Sequence, residues 1–209
     1  MKIIEPKITY TEAGSFVEAL KQNEFYQLHI TENIEEEITI EQIPLDSCIF
    51  SKINFQNIKM DRIDLIDVCF ENCDLSNQDF SKRMLARVEF KNCRLSGLNL
   101  LESSLKDVLI SDCKADYMNF SNCKIVKMIA EESDFTESSF IETEIKEIEF
   151  QNNNFYQSDF MRTKLKDVDF STSNIYGARF DMYSLKGIII DSAQSDALVG
   201  ILGVQIKED

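Results

Sequence analysis

A period of five residues runs through most of this chain. Every fifth position from Ile40 to Ile190 is apolar, thirty-one positions in succession, and these positions hold thirteen of the fifteen phenylalanines. Five matches neither the 3.6-residue period of an α-helix nor the two-residue period of a simple strand. A fixed period kept over this length is the signature of a repeat architecture, so the repeat decides the fold.

The other positions of each block indicate how the repeat folds. If the central apolar residue is called i, then i−2 is usually small or apolar, as in Cys73 and Val88, and the remaining positions are mostly polar. Inward and outward side chains that alternate form a short strand, and polar residues at i+1 and i+2 turn a corner. Four such sides make a square coil of twenty residues, and the next coil stacks about 4.8 Å away. The pattern therefore predicts an all-β, parallel β-helix.

Several blocks follow the loose motif of a known family. Cys73-Asp74-Leu75-Ser76-Asn77, Cys93-Arg94-Leu95-Ser96-Gly97 and Ala178-Arg179-Phe180-Asp181-Met182 are examples. In these blocks the chain resembles the pentapeptide-repeat family over roughly residues 40–190. The resemblance implies a right-handed quadrilateral β-helix, here a rod of about seven coils and roughly 35 Å.

The two ends differ from the repeat and are predicted to be small caps. Residues 1–44 form the N-terminal cap, in which Ser15-Phe16-Val17-Glu18 has the form of a capping box that begins a helix. Apolar residues then alternate as in strands, at Leu28 and Ile30 and again at Ile38 and Ile40. The β-helix itself is expected over residues 45–190, and residues 191–209 form the C-terminal cap.

The C-terminal cap is read as a helix from Ser192 that stops at Gly203, followed by a strand over Val204-Gln205-Ile206. It carries more apolar side chains than the end of one small coil requires. We therefore expect a homodimer joined through this segment. The predicted interface consists of Leu198, Val199, Ile201, Leu202, Val204 and Ile206.

Composition and charge argue against several classes of protein. The net charge of −15 disfavours direct binding of nucleic acid, because the phosphate backbone would be repelled. No apolar stretch approaches the 18 residues of a membrane-spanning helix, and the first residues lack the apolar region of a signal peptide. The chain is therefore expected to be cytoplasmic, with no membrane contact.

Residues for catalysis or for metal binding are scarce. The single histidine, His29, lies outside the repeat, and the six glycines form no phosphate-binding loop, so we expect no enzyme and no cofactor. Five of the six cysteines lie at i−2, and Cys73, Cys93 and Cys113 are spaced to stack on one side. A ladder of buried thiols fits core packing rather than a metal site. Cys69, at i−1, is the one cysteine that the pattern places outside.

Three residues at i−2 break the pattern. Gln78 and Arg83 are too polar to point inward unpaired, so either the wall bulges there or their side chains pass around a corner. The third, Tyr183, is expected to widen the interior near the last coil.

Negative charge is concentrated on one side of the predicted rod. Residues twenty apart stack, and the outward positions of the side centred on Phe50 and its equivalents sum to −6, whereas the other three sides sum to +1, −2 and −1. A solvated acidic face is a common reason for such a pattern. Asp191 ends this wall, and Asp134 and Glu137 lie around its corner. The residues predicted to contact a partner are Glu71, Glu89, Asp112, Glu131, Glu132, Glu149 and Asp169.

Within the family, the chain resembles the Qnr-type quinolone-resistance proteins and their relatives from Gram-positive bacteria. The features that match are the length, the capped rod and the apolar tail Ile201-Leu202-Gly203-Val204-Gln205-Ile206. The resemblance implies a rod-shaped dimer whose acidic surface imitates DNA, binds DNA gyrase or topoisomerase IV, and protects it from quinolones. The alternative is a structural or adaptor rod with an unknown protein partner.

Overall fold

Short parallel strands wind around a common axis to form the body of the molecule. A computed structural model describes residues 1–202. The helices are α1 (Phe16–Gln22) and α2 (Ser195–Val199), with single 3-10 turns at Phe55–Asn57, Ser192–Gln194 and Gly200–Leu202. The strands are β1 (Glu12–Ala13), β2 (Phe25–Tyr26), β3 (Leu28–Ile30), β4 (Ile38–Glu41), β5 (Leu45–Asp46), β6 (Ile49–Ser51), β7 (Ile58–Asp61), β8 (Leu65–Glu71), β9 (Met84–Lys91), β10 (Ser104–Ser111), β11 (Lys124–Glu131), β12 (Glu144–Ile145) and β13 (Ile148–Gln151).

Successive coils pair in register at an interval of twenty residues. In the central part, Phe70 lies opposite Phe90 and Phe90 opposite Ile110, and every strand pair is parallel. Eleven strands form one sheet that covers two adjacent sides of the rod, and β4 pairs with β7 on another side. Isolated parallel bridges, such as Asp74 with Arg94, continue the ladder on the remaining sides. The predicted quadrilateral parallel β-helix is confirmed.

The five-residue period fills the inside of the rod. Twenty-eight of the thirty-one periodic positions are buried, and their aromatic rings stack from coil to coil. The ring centres of Phe120 and Phe140 are 4.5 Å apart, and those of Phe140 and Phe160 are 4.9 Å apart. Ile145, Leu185 and Ile190 are only partly buried. Ile145 lies where the wall is interrupted between β12 and β13, and the other two lie at the end of the rod.

The corners of the square coil lie at position i+2. Residues there have a left-handed backbone, for example Asn72 with φ 55° and Asn92 with φ 52°. Asparagine and glycine adopt this conformation more readily than other residues. At Gly97, with φ 69°, an added Cβ would lie 2.6 Å from Asn77 Oδ1 in the coil below, so a larger residue there would have to displace the Asn77 side chain.

Position i−2 carries small hydrogen-bond donors because it faces a buried carbonyl of the preceding coil. Cys93 Sγ donates to the Phe70 carbonyl at 3.4 Å, and Ser103 Oγ donates to the Phe80 carbonyl at 2.7 Å. A buried carbonyl without a hydrogen-bond partner would be costly, so these side chains supply that partner from the interior of the rod. The preference for Cys, Ser and Thr at i−2 follows from this geometry.

The polar exceptions at i−2 are accommodated in the same way. Gln78 keeps its inward position, and its Nε2 donates to the carbonyls of Phe55 at 2.9 Å and Ile58 at 3.0 Å. Arg83 turns toward the adjacent corner, where its Nε donates to the Ser81 carbonyl at 3.0 Å. The sequence left two alternatives, a bulge in the wall or side chains that pass around a corner. Arg83 follows the second alternative, and Gln78 follows neither.

Two side chains lie where the sequence did not place them. Cys69, expected outside, is only 6 % exposed, and its Sγ lies 3.8 Å from Glu89 Oε2. Tyr183, expected to widen the interior, is 58 % exposed, and Ser184 takes the buried position instead. The Ser184 hydroxyl accepts a hydrogen bond from the Asp181 backbone N–H at 2.9 Å, so the register slips by one residue in this coil.

The N-terminal helix closes one end of the rod. Ser15 Oγ accepts a hydrogen bond from the Glu18 backbone N–H at 3.2 Å, and Phe16 on the first turn of α1 packs against Phe50 with ring centres 5.8 Å apart. Strand pairing between coils begins before residue 45, since β2 pairs with β5 and β3 with β6. The division at residues 44/45 and 190/191 stays a prediction, and the predicted strand Val204–Ile206 lies outside the described residues. No helix within residues 1–202 is long and apolar enough to span a membrane.

Candidate protein-binding surface

An N-terminal strap, residues 1–11, runs along the outside of the rod without regular secondary structure. Its backbone N–H groups donate to carboxylates on different coils, Lys7 to Asp67 at 2.7 Å and Ile4 to Asp107 at 3.0 Å. The N-terminal ammonium of Met1 pairs with Glu149. Sequence reasoning missed this strap because no periodicity marks residues 1–11. The carboxylates at the i+2 corners of the underlying coils were its only signal.

Two members of the predicted acidic wall already have cationic partners. Glu149 pairs with the terminal ammonium, whose hydrogen bond holds the pKa of this carboxyl below its usual range. Glu89 is only 6 % exposed and lies 2.6 Å from Lys91 Nζ. The charges of these two residues are therefore partly neutralised inside the molecule.

The other five predicted residues, Glu71, Asp112, Glu131, Glu132 and Asp169, have no ion-pair partner within residues 1–202. Asp112, Glu132 and Asp169 are exposed, and Glu71 and Glu131 are half-buried. Hydrogen bonds from Ser171 hold the pKa of Asp169 below its usual range.

The unpaired carboxylates concentrate where two sides of the rod meet. The backbone N–H of Asp112 donates to the Glu131 carbonyl at 3.2 Å, which stacks their coils directly. Glu132 accepts a hydrogen bond from Asn152 Nδ2 at 2.6 Å, so its carboxylate is held at the surface. We call this edge the acidic corner. It comprises Asp112, Glu131, Glu132, Asp134 and Glu137.

The acidic corner continues onto the next side of the rod. Glu137 is exposed, and its Oε1 accepts a hydrogen bond from the Tyr117 hydroxyl at 3.2 Å. Asp134 accepts from the Thr136 hydroxyl at 2.7 Å and from Asn154 Nδ2 at 2.9 Å. These neutral donors fix the carboxylates without cancelling their charge, so the corner presents fixed negative groups to the solvent.

The predicted dimer residues are described only in part. Leu198 and Ile201 are half-buried and pack against the end of the core, and Val199 is also half-buried. The side chain of Leu202, together with Val204 and Ile206, lies outside the described part of the structure. The homodimer therefore stays a prediction.

Comparison with known proteins places the chain in a family. Residues 63–130 match the family model described as a pentapeptide repeat region. The fold is similar to that of HetL, a pentapeptide repeat protein involved in heterocyst differentiation regulation from the cyanobacterium Nostoc sp. strain PCC 7120. That match has 14% identity, covers 87% of this chain and 94% of HetL, and has a TM-score of 0.52. This is a pentapeptide-repeat protein.

A second solved structure supports the same fold for this pentapeptide-repeat protein. A trypsin-treated variant of QnrB1, a plasmid-mediated fluoroquinolone resistance protein, matches with 19% identity and a TM-score of 0.50. The match covers 88% of this chain and 90% of QnrB1. At such identities the two similarities establish the fold alone. No curated protein matches the sequence.

The interior of this pentapeptide-repeat rod holds its cysteines as packing residues. All six are buried and unlinked. Burial raises the pKa of Cys48 to about 11 and that of Cys123 to about 12, so these groups are thiols rather than reactive thiolates at neutral pH. Within residues 1–202 no group of three or more His, Cys, Asp or Glu side chains is arranged to hold a metal ion.

Proposed function

We propose that this pentapeptide-repeat protein is a cytoplasmic, non-enzymatic, protein-binding rod whose acidic corner occupies a basic, DNA-binding groove of a type II topoisomerase. The observation that carries the proposal is the set of carboxylates at Asp112, Glu131 and Glu132, which have no cationic partner within residues 1–202. Carboxylates that are fixed but not neutralised favour a cationic partner. The resemblance to the Qnr-type proteins supports DNA gyrase or topoisomerase IV as that partner, and quinolone protection as the consequence.

The charge density sets the expected strength of this interaction. Duplex DNA carries one charge per about 1.7 Å along its whole length, whereas the five carboxylates of the acidic corner lie on only two successive coils, about 4.8 Å apart. The rod is therefore a partial imitation of DNA. We expect binding that weakens steeply between low salt and physiological salt, because exposed charges are screened over about 8–10 Å.

The test compares two variants that change net charge equally. In the first, Asp112, Glu131 and Glu132 are replaced by Lys. In the matched control, Glu32, Glu36 and Glu37, which are exposed near the N-terminal end of the rod, are replaced by Lys. Gyrase binding is measured by surface plasmon resonance at several salt concentrations. Supercoiling is assayed with and without ciprofloxacin.

The expected outcome separates the acidic corner from the overall charge. The first variant loses at least about tenfold in gyrase affinity, while the control changes by less than about threefold. The wild type restores supercoiling in the presence of ciprofloxacin, and the first variant does not. Equal losses from both variants would show that only net charge matters. No gyrase binding at low salt would leave the adaptor function, with an unidentified protein partner.

We further propose that two copies associate through their C-terminal segments, which would double the rod to roughly 70 Å. Leu198→Glu combined with Ile201→Glu is expected to yield monomers in sedimentation velocity at tens of micromolar. Because Leu198 and Ile201 also pack on the core, thermal melting must show that the variant is folded. Val17→Glu, at an exposed position of α1, is the matched control. If the wild type is monomeric, the C-terminal segment serves only to cap the end of the core.

A further inference from the structure

The last complete coil departs from the repeat at one aromatic residue. Tyr183 occupies a position that usually holds a small or apolar inward side chain, and its ring is turned to the solvent. The slip that allows this is fixed by Ser184, whose Oγ donates to the Asp181 carbonyl at 3.1 Å and whose backbone N–H donates to Asp181 Oδ1 at 2.8 Å. The exposed ring is thus held in place by local structure.

Tyr183 borders a cleft on the side of the rod centred on Leu165 and Leu185. The cleft has a volume of about 550 Å³, and it is lined by Lys164, Lys166, Tyr183, Lys186 and Gly187. This volume lies within the range of small-molecule sites, about 300–1,000 Å³. Three of the five lining residues are lysines, although the protein as a whole has a net charge of −15.

The positive charge of this cleft is largely uncompensated. Lys166 Nζ lies 3.9 Å from Asp167 Oδ2, but Lys164 and Lys186 have no ion-pair partner within the part of the chain that the structure describes. The surface beside the cleft contributes Arg162, Lys146 and Lys124 together with Glu142 and Glu144, and of the three cations only Arg162 is paired, with Glu142. Like charges on adjacent coils repel one another, so the fold bears a cost that a bound anion would remove.

Gly187 lines the cleft beside the stem of Lys166. It lies at a corner position with φ 84°, where other coils carry a side chain. A Cβ at this position would approach Lys166 Cγ to 3.1 Å, so the glycine lets the Lys166 stem pass close to the backbone.

We propose that the cleft formed by Tyr183, Lys164, Lys166 and Lys186 binds a phosphorylated ligand with a flat ring, of the size of a mononucleotide. Lysine ammonium groups bind phosphate oxygens as point charges, and an exposed tyrosine ring stacks on a base. The −15 net charge opposes a long polynucleotide, whose many phosphates would be repelled by the rest of the rod. A compact anion faces only the local positive charge.

Isothermal titration of the full chain with ATP tests the proposal, with tripolyphosphate and adenosine as separate probes. ATP is expected to bind in the micromolar to millimolar range. The triple variant Lys164→Gln, Lys166→Gln, Lys186→Gln should weaken ATP binding at least about tenfold, since each exposed charge contributes a few-fold. Tyr183→Ala should weaken ATP binding several-fold and leave tripolyphosphate binding unchanged.

The matched controls are Tyr176→Ala, which removes another exposed ring, and Lys114→Gln, which removes an exposed lysine on a different side. Both should bind ATP as the wild type does, and all variants should melt within a few degrees of it. No ATP binding at millimolar concentration, or equal losses in the controls, would overturn the site. Equal affinity for tripolyphosphate and ATP would show that stacking on the Tyr183 ring does not contribute to binding. Tighter binding of a twenty-nucleotide single strand through the same lysines would replace the mononucleotide by a polynucleotide.

Discussion

The two halves of the rod share one interior but differ in their walls. Between residues 65 and 131, strands of seven or eight residues run continuously across two sides. Beyond residue 144, the same sides contain only β12 with two residues, β13 with four, and then turns. The five-residue apolar period continues through both halves, although Ile145, Leu185 and Ile190 in the second half are only partly buried. The five-residue period therefore sets the coil, and the outward residues determine whether the coil backbone forms extended strands.

The outward column that ends at Lys186 illustrates the cause. In the first half this column contains Ile66, Ala86, Lys106 and Val126, and in the second half it contains three lysines in succession, at positions 146, 166 and 186. Isoleucine and valine favour extended strands, and the single Lys106 is accommodated within β10, whereas like charges stacked on three successive coils repel. The broken wall, the partly exposed Ile145 and the cationic cleft therefore have a common origin.

A second difference lies inside, in the column of i−2 donors. The first half uses thiols, at Cys73, Cys93 and Cys113, with Sγ to carbonyl distances of 3.3–3.4 Å. The second half uses Ser133, Asn153 and Ser173, and Asn153 Nδ2 lies 2.7 Å from the Ala130 carbonyl. All three residue types bond the preceding coil. The thiols and Asn153 donate to its carbonyls, whereas Ser133 and Ser173 accept from its backbone N–H groups at 3.0 and 3.1 Å, and the Ser133 hydroxyl donates to the Glu131 carbonyl two residues earlier.

The largest effect that separates the halves is expected from phenylalanine truncation. Phe120→Ala should cost about 3–5 kcal/mol of unfolding free energy, because Phe120 is fully buried and stacks 4.5 Å from Phe140. Phe180→Ala, in the last stack of the second half, should cost less, since Phe180 is already 6 % exposed near the end of the rod, where the structure can relax. Urea denaturation measures both. Equal costs would show that the C-terminal coils are packed as tightly as the centre.

The sequence predicts the interior well because one periodic signal repeats thirty-one times. Each central residue is specified by burial alone, and errors at single positions do not shift the register. The residues that it misplaces depend on contacts between segments distant in sequence. Cys69 lies at an outward position, but it is buried against Glu89 and Glu71 on the side that the N-terminal strap follows.

The candidate surface is predictable only as a column of charges. Stacking at twenty residues identified the acidic wall, but it gave no means to tell the paired Glu149 from the unpaired Glu132. That difference depends on where residues 1–11 lie, and no period constrains them. The outward turn of Tyr183 was equally hidden, because it requires a one-residue slip that Ser184 stabilises.

An intermediate effect on unfolding free energy is expected in the column of corner residues that includes Asp67, beneath the N-terminal strap. Asp67 and Asp167 occupy equivalent positions in this column, five coils apart. Asp67 is buried, accepts hydrogen bonds from Arg87 Nε at 2.5 Å and from the Lys7 backbone N–H, and is largely hidden from solvent. Burial alone would raise the pKa of Asp67, but the bonds from Arg87 and Lys7 outweigh it, so the pKa lies below its usual range. Asp167 is exposed beside Lys166.

Asp67→Asn should therefore cost about 2 kcal/mol at pH 7, and Asp167→Asn should cost almost nothing. Since the folded pKa of Asp67 is depressed, its contribution is present above the unfolded value of about 3.9 and is lost as pH falls below it. Denaturation of both variants at pH 7 and near pH 2.5 measures this. A cost for Asp67→Asn that persists unchanged at the lower pH would show that the ion pair is not its source.

The smallest expected effect concerns the thiol column. Cys93 Sγ donates to the Phe70 carbonyl and accepts from the Cys73 backbone N–H at 3.4 Å. Cys93→Ser should be tolerated within about 1 kcal/mol, because a hydroxyl performs the same task in the second half, whereas Cys93→Ala should cost about 1–2 kcal/mol by leaving both groups unpaired. Ser133→Ala is the matched change in the part of the column that has no thiols, where the Cys113 backbone N–H would lose its acceptor at 3.0 Å. Chemical denaturation should rank Cys93→Ala with Ser133→Ala and place Cys93→Ser near the wild type. If Cys93→Ser were as unstable as Cys93→Ala, the column would be a packing device specific for sulfur, and the hydrogen-bond account of position i−2 would not hold in the first half.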